Sequence, residues 1–444
     1  MGLLLNSCTE KSTQKSPPKS QDRDLTIWWS QGFYPEEDQA LETAIEQWQQ
    51  QENLKVNLKF VHEDDLLPLT LKALEDEAPP DILFSVRADF IESPRWAWQG
   101  DLLDVSELIE PVKSRYSASA LESVQLFNHK ANQRAYYAVP IEQQTIHIHY
   151  WRDLLAEAGF SETDIPQDWE NFWNFWKQVQ NRLREKGKED IYGLGLTYST
   201  QAVDTFYQFE QMLEAYDVEI VDREGNLQVD RPEIRKGIVQ TLDWFTRFYR
   251  EGYVPENAIA WLDADNNASF LNRQVVMTLN PTLSIPGSQR SDPQVYREEM
   301  ATIPFPKEPD GDPPNYIVGV KHALIFTTSP QPEAAKNFLA FLIQPDRLGK
   351  YVKGASGRWF PVMPELWQDP FWNDREDPHV AVAAQQFRAG HTRPSYPVFN
   401  PAYARVQAEN VWGRAISRIL NEGWTAEKAA DEAIANIKAI VNDW

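Results

Sequence analysis

The stretch from Tyr137 to Trp151, YAVPIEQQTIHIHYW, constrains the fold more than any other part of the chain. From Ile146 to Trp151, Ile or Tyr side chains alternate with His or Trp side chains. This period of two predicts a half-buried β-strand. The residues before this stretch have the pattern of one α/β unit, and those after it are rich in predicted helices. We therefore interpret the stretch as the first crossing between two lobes, with the amides Gln143 and Gln144 where a cleft would lie. An ordinary loop that leads into an edge strand is the alternative.

Length and charge limit the classes of protein that the chain can belong to. With 444 residues, it is long enough for two or three lobes that each bury a core. With a net charge of −23, the chain lacks the basic surface typical of a nucleic-acid-binding protein. The same charge argues against adhesion to anionic lipid through a charged surface. The 17 tryptophans supply core packing, and such a surplus also suits surfaces that stack on flat apolar faces of a ligand.

The N-terminal residues indicate how the protein is held in the cell. Residues 3–8, LLLNSC, resemble a truncated signal with a bacterial lipobox, in which Cys8 would be lipidated; an incidental cysteine after a short apolar N-terminus is the alternative. Because Cys8 is the single cysteine, no internal disulfide can form. Thr9–Arg23 has no apolar residue beyond its prolines, which predicts a disordered tether. No later segment approaches the ~20 apolar residues of a spanning helix, so we expect a soluble body.

A β-α-β-α-β pattern follows the tether. Strands are predicted at residues 25–29, 54–60 and 82–84, with helices between them, which implies right-handed crossovers and a mostly parallel sheet. In such sheets, ligands bind beyond the carboxyl ends of the strands. Arg87 and Asp89 follow the third strand, where fixed hydrogen bonds to hydroxyl groups would be well placed; a surface ion pair is the alternative.

Several segments, taken in order, resemble bacterial extracellular solute-binding proteins of the carbohydrate class, the maltose-binding type. They are LTIWWSQG, PPDILFS, GDLLDVSELI, YAVPIEQQTIHIHYWRDLLAEAGF, PQDWENFWNFW, FLNRQVVMTLN, NYIVGVKHALIF and PEAAKNFLAFL. The resemblance covers nearly the whole chain after the tether, and it lies in the order and spacing of the segments. Trp151 and Arg152 depart from the usual Asn-Lys, and Arg273 and Val276 depart from the usual small residues.

The resemblance implies an α/β, two-lobe periplasmic-binding-protein-like fold (type II). Each lobe would be a mainly parallel sheet flanked by helices, and three crossings would join the lobes. After residues 1–23, the N-terminal lobe is expected to comprise 24–141 plus 317–353, and the C-terminal lobe 142–316 plus 354–444. The implied role is that of the substrate-binding subunit of an ABC importer, located in the periplasm or at the cell surface as a membrane-anchored lipoprotein.

The sequence lacks the common catalytic motifs. It contains no phosphate-binding G-x-x-x-x-G-K-[ST] and no G-x-S-x-G, and Cys8 lies in the N-terminal tail. His147 and His149 share a strand face, but a metal would need a third ligand. We therefore expect no catalytic residue, metal or cofactor, and interpret the protein as one that captures a solute reversibly.

A sugar site needs side chains that form paired hydrogen bonds and aromatic side chains that stack on C–H faces. The candidates in the first lobe's turns, the crossings and the second lobe's strand ends are Trp29, Ser30, Gln31, Phe33, Tyr34, Arg87, Asp89, Gln143, Gln144, Tyr198, Asn280, Thr282, Arg358, Trp359 and Tyr396. Tyr198 follows a predicted strand, Arg358 and Trp359 lie in the expected third crossing, and Tyr396 lies in a predicted exposed loop.

Three functions are compatible with this sequence. The first is a monomeric sugar-binding protein that closes by hinge motion and passes its ligand to an ABC permease. The second is the same fold binding a charged solute, such as a polyamine, a metal chelate or an organic anion. The third is a glycoside-processing enzyme, which would need two carboxyl groups ~5 to ~9 Å apart across a cleft.

Overall fold

The computed structural model describes residues 23–389 and 391–444. The predicted lipobox at Cys8 and the tether before Arg23 lie outside the described residues. The strands are β1 (Leu25–Ser30), β2 (Val56–Val61), β3 (Ile82–Phe84), β4 (Gln125–Asn128), β5 (Gln133–Tyr136), β6 (Val139–Gln144), β7 (His147–Trp151), β8 (Tyr192–Gly195), β9 (Val275–Asn280), β10 (Met300–Ile303), β11 (Tyr316–Leu324), β12 (Phe360–Pro361) and β13 (Thr392–Pro394).

Helices surround these strands. They are α1 (Pro35–Glu52), α2 (Glu63–Glu75), α3 (Ala88–Gln99), α4 (Ser106–Ile109), α5 (Ala118–Val124), α6 (Arg152–Glu157), α7 (Trp169–Glu185), α8 (Val203–Ala215), α9 (Pro232–Arg250), α10 (Asp265–Leu271), α11 (Ser284–Gly287), α12 (Pro332–Leu342), α13 (Pro345–Gly354), α14 (Val380–Arg388), α15 (Tyr403–Ala408), α16 (Val411–Glu422) and α17 (Ala426–Asn442). No helix in the described part of the chain has both the length and the apolar content needed to span a bilayer.

Two sheets organise the chain. The first has the order β12-β6-β11-β3-β1-β2, with β13 also pairing with β11, and the second has the order β10-β7-β9-β8. The predicted parallel pairing holds for β1 with β2 and β3, and for β8 with β9. The sheets are nevertheless mixed, because β11 is antiparallel to β3 and β6, and β7 is antiparallel to β9 and β10. β6 and β7, which carry the chain into the second sheet, are antiparallel to both of their neighbours, and the returning strand β11 is antiparallel to β3 and β6 but parallel to β13.

The chain passes between the sheets at short connections. Thr145 and Ile146 separate β6 in the first sheet from β7 in the second, and residues 304–315 separate β10 from β11. The Thr145 hydroxyl donates to the Ile317 carbonyl over 2.8 Å, so the first connection is hydrogen-bonded to the start of β11. Residues 142–144 pair within the first sheet, as do β12 and β13, although all three were expected in the C-terminal lobe. The lobe boundaries remain a prediction.

The prediction that β7 is half buried is wrong, because all its residues are buried. β7 lies between β9 and β10 in the interior of the second sheet, and because its side chains alternate between the two faces, their burial shows that both faces are covered. The His147 ring contacts the Gln386 amide, and the His149 ring contacts the Thr302 hydroxyl over 2.8 Å. Burial lowers the pKa of His147 to about 4. No group of three or more His, Cys, Asp or Glu side chains among the described residues is arranged to hold a metal ion.

Helix α7 shows how aromatic residues build the second core. Asp168 caps the helix by accepting from the Asn171 backbone N–H over 3.2 Å. The aromatic side chains of this helix are all buried, namely Trp169, Phe172, Trp173, Phe175 and Trp176. Each large apolar side chain buried in this way contributes roughly 1.5–3 kcal/mol to stability. The core therefore fixes the ends of the strands in the second sheet, and these ends carry polar residues of the site.

Candidate functional site

A cavity of about 210 Å³ lies between the two sheets, and we call it the cleft. The first wall of the cleft comes from the first sheet and the helices packed on it, and it includes Glu63, Arg87, Phe90, Gln144, Lys321, Arg358 and Trp359. The second wall comes from the second sheet and its helices, and it includes Asp204, Tyr207, Asp263, Asn280, Pro281, Thr282 and Ser284. Several of these residues follow strand carboxyl ends, the expected position for a ligand site in an α/β sheet.

The charged groups of the first wall are already paired. The Arg87 guanidinium lies 2.7 Å from the Asp64 carboxylate and 3.5 Å from Glu63. The Lys321 ammonium donates to both Asp89 carboxylate oxygens, at 3.0 and 2.9 Å, and both side chains are almost completely buried. Burial raises the pKa of Asp89 to about 6, although Lys321 opposes the rise. Asp89 is therefore ionised at neutral pH and holds Lys321 at the cleft surface.

Arg358 combines a cation with an aromatic surface. Its guanidinium carbon lies 4.8 Å from the ring centroids of both Phe33 and Trp359, and one of its nitrogens lies 3.5 Å from Glu63. Its Nε is buried and has no hydrogen-bond partner within the described part of the chain. A buried donor without a partner is costly, so this group is suited to a ligand oxygen.

The second wall differs because its central carboxylate has a free oxygen. Asp204 lies in the first turn of α8, and its buried Oδ2 has no hydrogen-bond partner among the described residues. The neighbouring Asp263 carboxylate accepts the Val203 backbone N–H over 2.6 Å. Burial, and then the charge of Asp263, raise the pKa of Asp204 to about 8. Asp204 is therefore mainly protonated at neutral pH, and its carboxyl group can donate as well as accept.

The turn after β9 completes the second wall. The Asn280 amide nitrogen donates to the Thr282 carbonyl over 2.7 Å and to the Ser284 hydroxyl over 3.1 Å. The Thr282 hydroxyl in turn accepts the Ser284 backbone N–H over 3.2 Å. These bonds fix the turn before any ligand arrives, which lowers the entropy lost on binding.

The structure brings six of the predicted residues together around the cleft. They are Arg87, Gln144, Asn280, Thr282, Arg358 and Trp359. Four others lie beside or behind the cleft. Asp89 supports Lys321, Gln143 donates to the Pro361 carbonyl over 2.7 Å, Ser30 accepts the Val86 N–H over 3.2 Å, and Phe33 is 51% exposed against Arg358. Gln31 is exposed and lines no part of the cavity.

Three predicted aromatic candidates lie in the core instead: Trp29, Tyr198 and Tyr396. Trp29 stacks on Phe84 at 4.2 Å and donates to the Tyr351 hydroxyl over 2.8 Å. Tyr198 is buried, and its hydroxyl donates to the Phe245 carbonyl over 2.8 Å. A residue that ends a strand can point into the core as well as into a cleft, and the strand pattern does not distinguish the two.

Tyr396 was expected in an exposed loop, and that expectation is wrong. Tyr396 is buried, donates to the Val218 carbonyl and accepts the Ile220 N–H, both over 3.0 Å. The surrounding segment pairs with β11 through β13 and is thereby drawn against the body of the protein.

Tyr34 belongs to a separate contact between the two sides, which we call the clasp. The Arg290 guanidinium lies 4.0 Å from the Tyr34 ring and 3.2 Å from the Glu36 carboxylate, and it contacts the Ser356 hydroxyl. A Cβ at Gly287 would overlap the Tyr34 hydroxyl, so the ring can approach only because residue 287 is glycine. The clasp thus joins α1 to the loop after α11, outside the cleft.

Sequence reasoning missed several residues of the cleft. Asp204 and Tyr207 lie on α8, and nothing in the sequence shows which face of that helix meets the cleft. Lys321 did carry a signal, because it is the cation within the apolar run YIVGVKHAL of β11. A charged residue in a buried strand requires a partner, and here that partner is Asp89.

This architecture is that of the two-lobe class of solute-binding proteins. It consists of two sheets with flanking helices, chain crossings between the sheets, and a polar cleft at the strand ends. The sequence model of the bacterial extracellular solute-binding protein family matches residues 43–382. The chain belongs to this family.

Known proteins with similar sequence or fold agree with this assignment. YcjN of Escherichia coli (strain K12), an inferred ABC transporter periplasmic-binding protein, is 22% identical over 246 residues, or 54% of this chain. The match spans 51% of YcjN, so the chain covers about half the length of this curated relative.

Two solved structures share the fold over nearly their whole length. An ABC transporter solute-binding protein from Thermotoga lettingae TMO, bound with α-D-tagatose, has a TM-score of 0.74 at 19% identity and covers 95% of this chain and 100% of its own. The cyclic α-maltosyl-1,6-maltose binding protein of Arthrobacter globiformis has a TM-score of 0.75 at 18% identity, with the same coverage. At these identities the likeness shows the fold.

Proposed function

We propose that this protein binds a neutral sugar in the cleft and delivers it to an ABC-type permease in the membrane. The observation that carries the proposal is the convergence of both walls on one cavity. Arg87, Gln144 and Arg358 meet Asp204, Asn280 and Thr282 around it. Paired donors and acceptors next to aromatic rings suit a ligand with many hydroxyl groups and apolar C–H faces.

The charges around the cleft favour a neutral ligand. Three cations face it or support it, namely Arg87, Lys321 and Arg358. Each lies within 3.5 Å of a carboxylate, so little net positive charge remains for an organic anion. On the second wall, protonation of Asp204 reduces the negative charge that faces the cleft at neutral pH. A sugar hydroxyl, which both donates and accepts, matches a protonated carboxyl group.

The ligands named for two solved structures of similar fold support a sugar as the class of ligand for this chain. The Thermotoga lettingae structure contains tagatose, and the Arthrobacter globiformis protein is named for a cyclic maltosyl-maltose. The curated relative is named for an ABC transporter, which supports a permease as the partner of this chain. In this proposal the protein acts as a monomer outside the cytoplasm, anchored through Cys8, and its lobes close around the ligand by hinge motion at the short connections.

A thermal-shift panel tests the ligand class. We expect a neutral sugar to raise the melting temperature, because a ligand at 100 times its Kd stabilises the folded state by about 2.7 kcal/mol. Polyamines and organic anions should give no shift at the same concentrations. A response to polyamines alone, or to anions alone, would contradict the proposal.

A cationic solute is the second candidate, and one observation favours it. Asp204 and Asp263 lie close enough for the charge of one to raise the pKa of the other. If a cation bound there, it would ionise Asp204 and release a proton. Calorimetry in two buffers of different ionisation enthalpy measures that release, which a neutral sugar would not cause.

The enzyme alternative is tested by recovering the ligand. We propose that the protein has no catalytic activity on its sugar, in line with a family of solute-binding proteins. After long incubation the sugar should be recovered unchanged by chromatography. Appearance of shorter or rearranged products would show turnover instead.

A further inference from the structure

An acidic residue is buried directly behind the first wall of the cleft. Glu142 lies on β6 and is 0% exposed, and neither of its carboxyl oxygens has a hydrogen-bond partner in the described part of the chain. Lys321 is its direct neighbour on β11, and Gln144 shares its strand face; both of these residues line the cleft. Because a buried polar group without partners lowers stability, packing alone gives no reason for an acid at this position.

Ionisable groups from several elements surround Glu142. They are Glu37 and Asp38 on α1, Tyr351 on α13, Lys321 on β11 and Arg358 just before β12. Burial, and then the charge of Glu37, hold the pKa of Glu142 well above its ordinary value. Glu142 therefore keeps its proton to a higher pH than an exposed glutamate does.

The other acids near β6 already have partners. The Glu37 carboxylate accepts the Tyr34 backbone N–H over 3.3 Å. On α5, which also packs on β6, the Glu122 carboxylate lies 3.7 Å from the Arg223 guanidinium. Glu142 thus differs from these neighbours because both of its oxygens are unpartnered.

Arg358 is the cation best placed to pair with an ionised Glu142. An unpaired carboxylate in a protein interior is very costly, so loss of the proton requires a new partner. The Lys321 ammonium already donates to both carboxylate oxygens of Asp89. Arg358 has a buried Nε without a partner among the described residues, and of the two cations it lowers the pKa of Glu142 more.

We propose that Glu142 is a positioning residue for the sugar and that it acts through Arg358. As a neutral acid it leaves the guanidinium to the solute, whereas as a carboxylate it forms an ion pair with the guanidinium and withdraws it from the cleft. The inference rests on the proposed sugar-binding function and adds a residue that regulates it. Sugar binding and the proton on Glu142 favour each other, so sugar affinity falls as rising pH ionises Glu142.

Calorimetric titration at about pH 6 and about pH 9 tests this coupling. The wild type is screened at the lower pH with D-glucose, D-galactose, maltose, trehalose and maltotriose, and the sugar that binds most tightly is then titrated into the wild type and Glu142→Gln. Glutamine has the shape of the neutral acid and cannot ionise, so we expect similar affinities at the lower pH. At the higher pH, Glu142→Gln should bind at least about threefold more tightly than the wild type. Both proteins contain Asp204, so its titration affects both alike.

Further variants separate this role from a merely structural one, which would change affinity equally at both pH values. Glu142→Met is also neutral at every pH and replaces Glu142→Gln if that variant fails to fold. The matched control is Glu92→Gln, because Glu92 is a buried acid on α3 whose pKa is raised by burial but which lies outside the cleft. Its affinity relative to the wild type should be the same at both pH values. In the Arg358→Ala background, Glu142→Gln should have no pH-dependent effect.

Two results would overturn the inference while leaving the proposed function intact. One is an affinity ratio between Glu142→Gln and the wild type that is the same at both pH values. The other is a pH-dependent ratio that persists in the Arg358→Ala background. Absence of binding by every sugar would overturn the proposed function and the inference with it.

Discussion

On the first wall of the cleft, Arg87 and Lys321 have carboxylate partners in place, whereas on the second wall Asp204 has a buried oxygen without one. The first wall is therefore organised by its own ion pairs and should change little when a ligand binds. On the second wall, Asp204 leaves hydrogen-bonding capacity for the ligand, and burial beside Asp263 raises its pKa. The comparison separates residues that hold the site, Arg87 and Lys321, from residues that keep an unpartnered group for the solute, which are Asp204 on the second wall and Arg358 on the first.

The largest expected effect comes from breaking the ion pair of the first wall. Asp89→Asn leaves Lys321 buried without a charged partner, which should lower the free energy of unfolding by about 3–5 kcal/mol. Urea denaturation measures this loss. Combining Asp89→Asn with Lys321→Met should recover much of it, since the uncompensated charge is removed.

The control for that variant is an exposed ion pair. Asp243 and Arg250 lie 2.7 Å apart on the surface of α9. Asp243→Asn should change the free energy of unfolding by less than about 1 kcal/mol. Equal losses in the buried and the exposed pair would show that the first wall does not depend on its internal pairing.

The second-largest effect is a dependence of stability on pH that arises from Asp204. The pKa of Asp204 is about 8 in the folded protein and about 3.9 in the unfolded chain, so the folded state binds more protons between those values. The contribution of Asp204 to stability is therefore present below pH 4 and is lost as the pH rises towards 8. Asp204→Asn should remove a slope of up to about 1.4 kcal/mol per pH unit between pH 5 and 7.

Asp369→Asn serves as the control for the pH experiment. Hydrogen bonding to Lys353 and to the Phe371 backbone lowers the pKa of Asp369, so this group stays ionised above pH 5 in both states. The difference in stability between the wild type and Asp369→Asn should be flat from pH 5 to 7. A flat difference for Asp204→Asn as well would contradict the proton assigned to the second wall.

The first sheet and the carboxyl ends of its strands could be predicted from the sequence, because short apolar runs followed by polar turns mark buried strands. Arg87 was found in this way, whereas Arg358 was found through the third crossing that the resemblance implies, and both line the cleft. Tyr198 and Tyr396 were misplaced because their orientation depends on packing against residues distant in sequence. Asp204 belongs to a helix whose cleft-facing side is set by tertiary contacts, so no local pattern marks it.

A third and smaller effect concerns the clasp, which joins the two sides outside the cleft. Arg290→Ala removes the ion pair with Glu36 and the contact with the Tyr34 ring, which together contribute about 1 kcal/mol at partly exposed positions. We expect the sugar to dissociate faster and its affinity to fall by up to about fivefold. Stopped-flow kinetics measures the rate. Arg182→Ala, which removes an exposed pair within α7, should leave the rate unchanged.

The smallest effect is expected for a residue that the sequence misplaced. Tyr198→Phe removes the hydrogen bond to the Phe245 carbonyl and should cost about 1 kcal/mol of stability. Ligand affinity should stay the same, because Tyr198 lies in the core of the second side. A clear loss of sugar affinity at unchanged stability would show instead that Tyr198 contributes to the binding site.

Isothermal titration of one sugar into the wild type, Arg358→Ala and Asp204→Ala tests whether both walls hold the same solute. Each variant loses hydrogen bonding from one wall. A hydrogen bond to a charged group such as Arg358 contributes about 1.5–3 kcal/mol, and a buried partner left unsatisfied by the loss of Asp204 costs about 1–3 kcal/mol. We predict that affinity falls by about tenfold or more in each variant. Unchanged affinity in either variant would contradict the account, because the solute would then be held by one wall alone.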